Sequence, residues 1–160
     1  MLRQDYVLRE IERLVQFCLK ATGILGSDQA PDLRRFLEEH SETVTGLRLE
    51  TVLESPPERL VSLLYHPGTA KIPQLVACGA WLCEAARLRL LEESPDQARA
   101  LFLRGAQILA FMNAQHGASE EFALLGPHLS GLRERVADLD FPVAEQSRVE
   151  ALLSTPPGGS

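Results

Sequence analysis

Cysteine is scarce in this sequence, and its spacing excludes the sites that cysteine usually builds. Three cysteines occur among the 160 residues, at Cys18, Cys78 and Cys83. An odd number, spread through apolar helical stretches, argues against a disulfide framework and for a reducing compartment. Cys78 and Cys83 are five residues apart, so they lie on different parts of a helix surface and do not form a metal pair. We expect all three side chains to be small buried hydrophobic groups.

Long hydrophobic runs are missing as well. The longest uninterrupted apolar stretch, counting glycine, extends from Leu75 to Cys83 and is far too short to span a membrane. The N-terminus carries charged residues such as Arg3 and Asp5, where a signal peptide would need an apolar run. These two absences predict a cytoplasmic protein with no membrane partner.

Basic residues are fewer than acidic residues in this sequence. The chain has 16 lysine and arginine residues against 22 acidic ones, which gives a formal net charge of -6. Binding along a phosphate backbone would need a basic surface, so we expect no nucleic acid partner. One basic line, formed by Arg9, Arg13 and Lys20, can in principle dock an acidic partner or a nucleic acid. The interleaved Glu10 and Glu12 favour a solvated helix face instead.

Motifs for catalysis or metal binding are also absent. No Gly-x-Ser-x-Gly, Walker or dinucleotide-binding glycine pattern occurs. The four histidines are scattered, and none pairs with another ligand type at a metal-site spacing. Glu38-Glu39-His40 lacks the second histidine that a metal motif would place one turn away. We therefore expect no catalytic residue, no cofactor and no metal, and we predict that the protein is not an enzyme.

The residues that are present follow the period of an α-helix. Between Gln4 and Ala21, apolar residues recur at three- and four-residue spacing, which places them on one side of a helix. No stretch alternates with period two over more than a few residues. The composition, with 45% hydrophobic and 24% charged residues, is that of an ordinary globular chain. The sequence predicts an all-α fold, with a single helical domain over residues 1–154 and a disordered tail over 155–160.

The longest helical stretch runs from Ile72 to Asn113 and predicts two helices folded back at Glu93-Ser94-Pro95-Asp96. Two adjacent apolar lines on the first helix of this hairpin indicate burial over more than half of its circumference. The short connection makes the two helices antiparallel neighbours. Small residues would allow their backbones to approach closely, at Gly79, Ala86, Ala98, Gly105 and Ala106. We expect this hairpin at the centre of an antiparallel bundle of about six to eight helices, covered chiefly by the first helix of the chain.

Shorter helices are predicted on both sides of this hairpin. A weakly apolar one from Asp32 to about Thr43 should lie on the surface, and Ser55 with Glu58 forms the pattern of a capping box that begins another. Towards the C-terminus, Gly126-Pro127 should interrupt helical structure. In the last helix, three apolar residues are expected to face inward, at Val143, Val149 and Leu152.

The opening residues, from Gln4-Asp5-Tyr6 to Glu12, resemble a family of small, uncharacterised bacterial helical proteins that begin with a Gln-Asp-Tyr-x-x-Arg-x-Ile-Glu type motif. The order of elements that follows is similar too, and the resemblance covers most of the chain. It implies an all-helical fold and no particular activity. Its polar residues can contact the hairpin or a second chain, so together with a basic neighbour they are the candidate interaction residues, namely Gln4, Asp5, Tyr6, Arg9 and Arg13.

The hairpin over residues 72–113 also resembles a tetratricopeptide unit. The second helix of such a unit shows an alanine, an aromatic residue and a small residue, and Ala98, Phe102 and Gly105 stand in those places. A single repeat does not form a solenoid, since three or more are normally needed. Two ordinary antiparallel helices that pack small residues against large ones explain the pattern equally well.

Two hypotheses of function follow. The first is a non-catalytic helical interaction module, an adaptor or scaffold, whose partner is a protein, a peptide or a second copy of the chain. The second is a small-molecule-binding protein or enzyme, with a pocket between the hairpin and the first helix. The second hypothesis draws on three polar residues near a helix break, Arg59, Tyr65 and His66.

Overall fold

Helices form all the regular secondary structure that the computed structural model describes, and no strand occurs in that part of the chain. The structure describes residues 6, 9–10, 12–17, 19, 29–65, 72–123 and 125–158. The described residues between 6 and 19 are helical. They are followed by seven α-helices, which are α1 (Ala30–Thr45), α2 (Leu49–Glu54), α3 (Pro57–Leu64), α4 (Ile72–Leu91), α5 (Pro95–His116), α6 (Leu125–Arg135) and α7 (Val143–Leu153). Two short 3-10 helices, Glu120–Phe122 and Val136–Leu139, lie on either side of α6.

This arrangement confirms the prediction of an all-α bundle. The number of helices agrees with the expected six to eight, once the N-terminal helical segment is added to the seven above. Within the described residues, no helix combines the length and the apolar character needed to cross a membrane.

The hairpin of α4 and α5 occupies the centre of the fold. These two helices share the most extensive contact of any helix pair described, and only residues 92–94 join them. In this turn Glu93 adopts a left-handed backbone with φ 61°. Fifteen of the 20 residues of α4 are buried, so this helix is covered on nearly every side.

Two glycines lie where α4 and α5 cross. A Cβ atom added to Gly105 would lie 2.6 Å from the carbonyl oxygen of Gly79 and 2.7 Å from Cys83 Sγ. A Cβ atom added to Gly79 would lie 2.7 Å from Leu109 Cγ. Side chains at these two positions would force the helices apart, so the predicted small-residue contact is present in the structure.

The helices on either side of the hairpin pack against its two members. Helices α1 and α2 pack on α4, α6 and α7 pack on α5, and α3 packs on both. The indole of Trp81 is fully buried in α4, and its Nε1 donates a hydrogen bond of 3.2 Å to the carbonyl oxygen of Leu37 in α1. Trp81 is therefore part of the core.

The main described cover of α4 is α1. Its few apolar residues recur every three or four positions, and four of them are buried, namely Leu33, Phe36, Leu37 and Val44. The N-terminal segment adds Leu14, which is buried, and Phe17, whose ring centroid lies 6.2 Å from that of Phe36. Much of the first helix lies outside the described residues, so its role as the chief cover of the hairpin stays a prediction.

Two predicted helix ends differ from the structure. Ser55 does not cap a helix with its side chain; Pro56 is the N-cap residue of α3, and Ser55 is buried, with its carbonyl oxygen accepting a hydrogen bond from Arg104 Nη1 at 3.1 Å. Gly126 and Pro127 do not interrupt a helix, since both lie in the first turn of α6. Proline is tolerated there because the first amide groups of a helix have no partner within it.

The C-terminal helix buries fewer of the expected residues. Val149 is buried as predicted, but Val143 is 85% exposed because it lies at the first position of α7, before the helix reaches the core. Leu153 is buried, whereas Leu152 is only partly so. The inward face therefore consists of two residues four apart.

Residues 155–158 pack against the end of α5, although a disordered tail was expected there. Asn113 Nδ2 donates a hydrogen bond of 2.8 Å to the carbonyl oxygen of Thr155. The amide of Gly158 donates to the carbonyl oxygen of Asn113 at 2.9 Å, and its own carbonyl accepts from the amide of Ala118 at 3.0 Å. Residues 159–160 lie outside the described part of the chain, and disorder of the tail stays a prediction.

We predict that Gly105→Ala lowers the free energy of unfolding by about 1–3 kcal/mol, because the added methyl group overpacks the crossing of α4 and α5. Gly131→Ala is the matched control, since nothing lies within 4 Å of a Cβ atom at that position. In the helix interior this control should gain about 0.5–1 kcal/mol. Urea denaturation followed by circular dichroism measures both changes. Equal effects of the two substitutions would contradict the proposed close contact.

Candidate functional site

A groove of about 530 Å³ lies between the hairpin and helices α1 and α2. Its apolar surface is formed by Leu49 and Leu53 from α2 and by Leu101 from α5. Leu49 and Leu101 are buried, and Leu53 is partly exposed. Charged side chains from α1, α2, α4 and α5 line the remaining surface. The groove thus combines an apolar strip with a charged border, as surfaces that bind a peptide segment commonly do.

Two of the arginines that line the groove are already paired with one carboxylate. Arg34 Nη2 donates to Glu92 Oε2, and Arg89 Nη1 donates to Glu92 Oε1 at 3.0 Å. Burial alone would raise the pKa of Glu92, but the hydrogen bonds and charges of the two arginines outweigh it and lower that pKa. These contacts connect α1 to the end of α4 and neutralise much of the positive charge.

A third arginine holds the wall of the groove. Arg104 of α5 donates to the carbonyl oxygens of Leu53 at 2.5 Å and Ser55 at 3.1 Å. Burial lowers the pKa of its guanidinium group below the usual value. Because both contacts go to backbone atoms where α2 ends, Arg104 fixes the position of α2 against the hairpin.

Two acidic side chains of the groove, Glu50 and Glu54, have no ion-pair partner among the described residues. Glu50 and Glu54 are exposed and lie four residues apart, so they lie on the same side of α2. Glu38 contributes a third acid, 3.9 Å from Arg34. A partner that fills the groove therefore meets two or three carboxylates.

A second polar cluster lies inside the fold, between α4 and α6. Arg135 Nη1 donates to Glu84 Oε1 at 2.8 Å, and Arg135 Nη2 donates to the carbonyl oxygen of Cys83 at 3.2 Å. The Glu84 side chain is almost fully buried. Glu84 Oε2 and His128 Nε2 are buried without a hydrogen-bond partner in the described part of the chain. Sequence analysis did not identify this cluster, although Glu84 is the one acidic residue within the apolar stretch of α4 and such a residue needs a partner.

The imidazole of His128 is held neutral in this cluster. Burial lowers the pKa of His128 to about 4, and the nearby positive charge of Arg135 acts in the same direction. The ordinary pKa of histidine is about 6.5, so His128 gains a proton more readily in the unfolded chain than in the folded one.

Three of the interaction residues predicted from the opening motif, Tyr6, Arg9 and Arg13, lie among the described residues. Tyr6 is 52% exposed and Arg9 is exposed. Arg13 Nη2 forms an ion pair with Glu10 Oε2 at 2.6 Å, within its own helical segment. Gln4 and Asp5 lie outside the described residues, so the role of the motif stays a prediction.

The polar residues considered for a small-molecule pocket are arranged differently. The Tyr65 hydroxyl lies 3.0 Å from His116 Nε2, and its ring packs edge-on against Phe111 with 5.4 Å between the ring centroids. Arg59 is exposed, and His66 lies outside the described residues. Tyr65 is therefore engaged in an aromatic contact at the C-terminal end of α5.

The cysteines offer no reactive thiol in the described structure. Cys78 and Cys83 are buried and free of disulfides, which confirms that they are small hydrophobic core residues. Burial raises the pKa of both thiols to about 12, so neither forms the nucleophilic thiolate near neutral pH. Cys18 lies outside the described residues. Where side chains are described, no group of three or more potential ligands is placed to hold a metal ion.

Comparisons of the chain with protein-family models, with curated proteins and with solved structures found no match. The fold is an all-α bundle with a charged groove on one face of its central hairpin. A buried ion pair between Glu84 and Arg135 connects α4 and α6.

We predict that stability decreases as the pH falls from about 7 to about 5, by about 1–2 kcal/mol through His128 alone. The depressed pKa of the folded state means that the unfolded chain takes up the proton first. His128→Gln should remove this contribution, so its stability curve should be flatter over the same range. Urea titrations of both proteins across this range make the comparison, and identical slopes would contradict the assignment.

Proposed function

We propose that the protein is a non-catalytic helical interaction module, an adaptor or scaffold, that binds a basic and apolar segment of a partner protein. The groove between the α4–α5 hairpin and helices α1 and α2 is the proposed binding site. Its apolar strip, bordered by carboxylates without ion-pair partners among the described residues, is the single observation that carries the proposal.

The apolar strip explains how such a segment would gain affinity. Leu49, Leu53 and Leu101 line the groove from two helices. An apolar side chain that becomes fully buried there would contribute about 1.5–3 kcal/mol. One or two such anchors are typical of peptide recognition in a helical groove.

The carboxylates explain which segment would be preferred. Arg34 and Arg89 are occupied by Glu92, and Arg104 donates to two backbone carbonyl oxygens. Glu50 and Glu54 remain open to a ligand. Lysine or arginine beside the apolar anchor would complement them, and an acidic peptide would be repelled. The formal net charge of -6 adds a general attraction for basic partners.

The groove is also held in place before any partner binds. Arg104 fastens α2 to α5, and the pairing of Arg34 with Glu92 fastens α1 to the end of α4. A preformed surface avoids the entropic cost of ordering its walls on binding. This rigidity favours a docking role.

The buried reduced thiols of Cys78 and Cys83 support a cytoplasmic setting for this function. The resemblance of the opening motif to the bacterial helical family is part of the same proposal. The polar residues of the motif would provide a contact to the hairpin or to a second chain.

Display of random peptides of about 12 residues against the immobilised full chain tests the proposal. We expect enrichment of sequences with one or two large apolar residues next to lysine or arginine. Binding of a selected peptide should weaken by at least about tenfold in Glu50→Lys/Glu54→Lys, because two attractions become repulsions.

Glu58→Lys/Glu145→Lys is the matched control. It makes the same change in net charge at exposed acids that do not line the groove, so the peptide affinity should stay close to that of the unaltered protein. No enrichment, enrichment of acidic sequences, or equal weakening in both double variants would each contradict the proposal. The chain could instead form a dimer through the groove, which Glu50→Lys/Glu54→Lys would dissociate. In that outcome the partner is a second copy of the chain and not a peptide segment.

A further inference from the structure

A smaller cavity of about 160 Å³ lies between the hairpin, α6 and the 3-10 helix that follows α6. Its apolar surface comes from four side chains, Leu90, Leu91, Phe102 and Leu139. Arg87, Arg135 and Asp138 line the rest. It shares no lining residue with the groove proposed to bind a partner.

The two arginines of this cavity differ in how far they are occupied. Arg135 donates from both terminal nitrogens, to Glu84 and to the carbonyl oxygen of Cys83. Arg87 is partly buried, and within the described ranges it has no hydrogen bond and no ion pair. Burial and the positive charge of Arg135 lower the pKa of Arg87, and the charges of Glu84 and Asp138 offset part of that effect. An arginine in this position gains from an anion that neutralises it.

The size of the cavity limits what it can hold. An apolar cavity of about 150 Å³ is known to hold benzene, so this one has room for a body of about six carbon atoms. The lining of three leucines and a phenylalanine matches such a body. A larger ligand, such as a nucleotide, does not fit.

The charges around the cavity limit the anion. Asp138 lines it, and Glu84 lies behind Arg135, so two carboxylates stand close to the two guanidinium groups. A dianion such as phosphate would be repelled by them more strongly than a monoanion. A carboxylate also matches the planar fork of arginine, which binds it with two parallel hydrogen bonds.

We propose that this cavity binds a small monocarboxylate with a compact apolar body, such as an aromatic acid of the size of benzoate. The carboxylate contacts the guanidinium group of Arg87, and the apolar body packs against Leu90, Phe102 and Leu139. This site makes the protein a small-molecule binder in addition to the interaction role proposed above, and it does not depend on that role.

Titration of the isotope-labelled full chain with benzoate, followed by NMR, tests the site. We expect saturable shifts that centre on Leu90, Phe102 and Leu139, with nuclear Overhauser contacts from the ring of benzoate to these side chains. Arg87→Gln should weaken binding at least about tenfold, which corresponds to about 1.4 kcal/mol. Arg87→Lys keeps the positive charge but lacks the planar guanidinium group. Its affinity for benzoate should therefore lie between those of the unaltered protein and Arg87→Gln.

Three controls separate this site from general binding. Arg133→Gln, on an exposed position of α6, should bind benzoate as the unaltered protein does. Benzyl alcohol, which has nearly the same shape and no charge, should bind more weakly, with equal affinity for the unaltered protein and Arg87→Gln. Inorganic phosphate at the same concentration should not displace benzoate.

The proposal is overturned if benzoate gives no saturable shifts at the cavity or if benzyl alcohol binds as tightly. It is also overturned if phosphate displaces benzoate, or if Arg87→Gln and Arg87→Lys both retain full affinity while folded. Circular dichroism of each variant establishes that it is folded. If Arg87→Gln does not fold, the comparison rests on Arg87→Lys, for which unchanged affinity overturns the proposal.

Discussion

Two glycines, Gly79 and Gly105, set the distance between the helices of the central hairpin. A Cβ atom at Gly105 would lie 2.6 Å from the backbone of α4, so no larger residue allows the same approach. This close packing leaves α4 enclosed by its neighbours and makes it the core of the fold. The remaining helices are then arranged as two covers, one on α4 and one on α5. The groove lies where the first cover and the hairpin leave a gap.

Enclosure of α4 has an electrostatic consequence. Glu84 lies on this helix, so its carboxylate is carried into the interior and needs a positive partner. Arg135 supplies that partner from α6, at 2.8 Å. Burial lowers the pKa of His128 and keeps it neutral, and the positive charge of the same arginine acts in the same direction. Arg135 also lies beside Arg87 at the smaller cavity. The polar interior and the proposed anion site therefore have one common origin, namely a charged residue placed on a buried helix.

Local pattern in the sequence predicted the elements well, and the placement of elements poorly. The hairpin was predictable because its apolar lines and its small residues at Gly79 and Gly105 repeat with the helical period. The packing of α1 on α4 was not predictable, since three or four apolar residues do not indicate which helix they contact. Residues 155–158 contact Asn113, which lies about one quarter of the chain away. The proline and glycine content of the tail does not indicate these contacts.

Both proposed sites combine residues from distant segments, which is why the sequence alone did not indicate them. The groove needs α1, α2, α4 and α5 to be assembled before Leu49 and Leu101 become neighbours. A structure of the full chain bound to a selected peptide would test the functional account most directly. We expect an apolar side chain of the peptide in contact with Leu49, Leu53 and Leu101, and a basic side chain beside Glu50 or Glu54. A peptide bound elsewhere, with this groove empty, would contradict it.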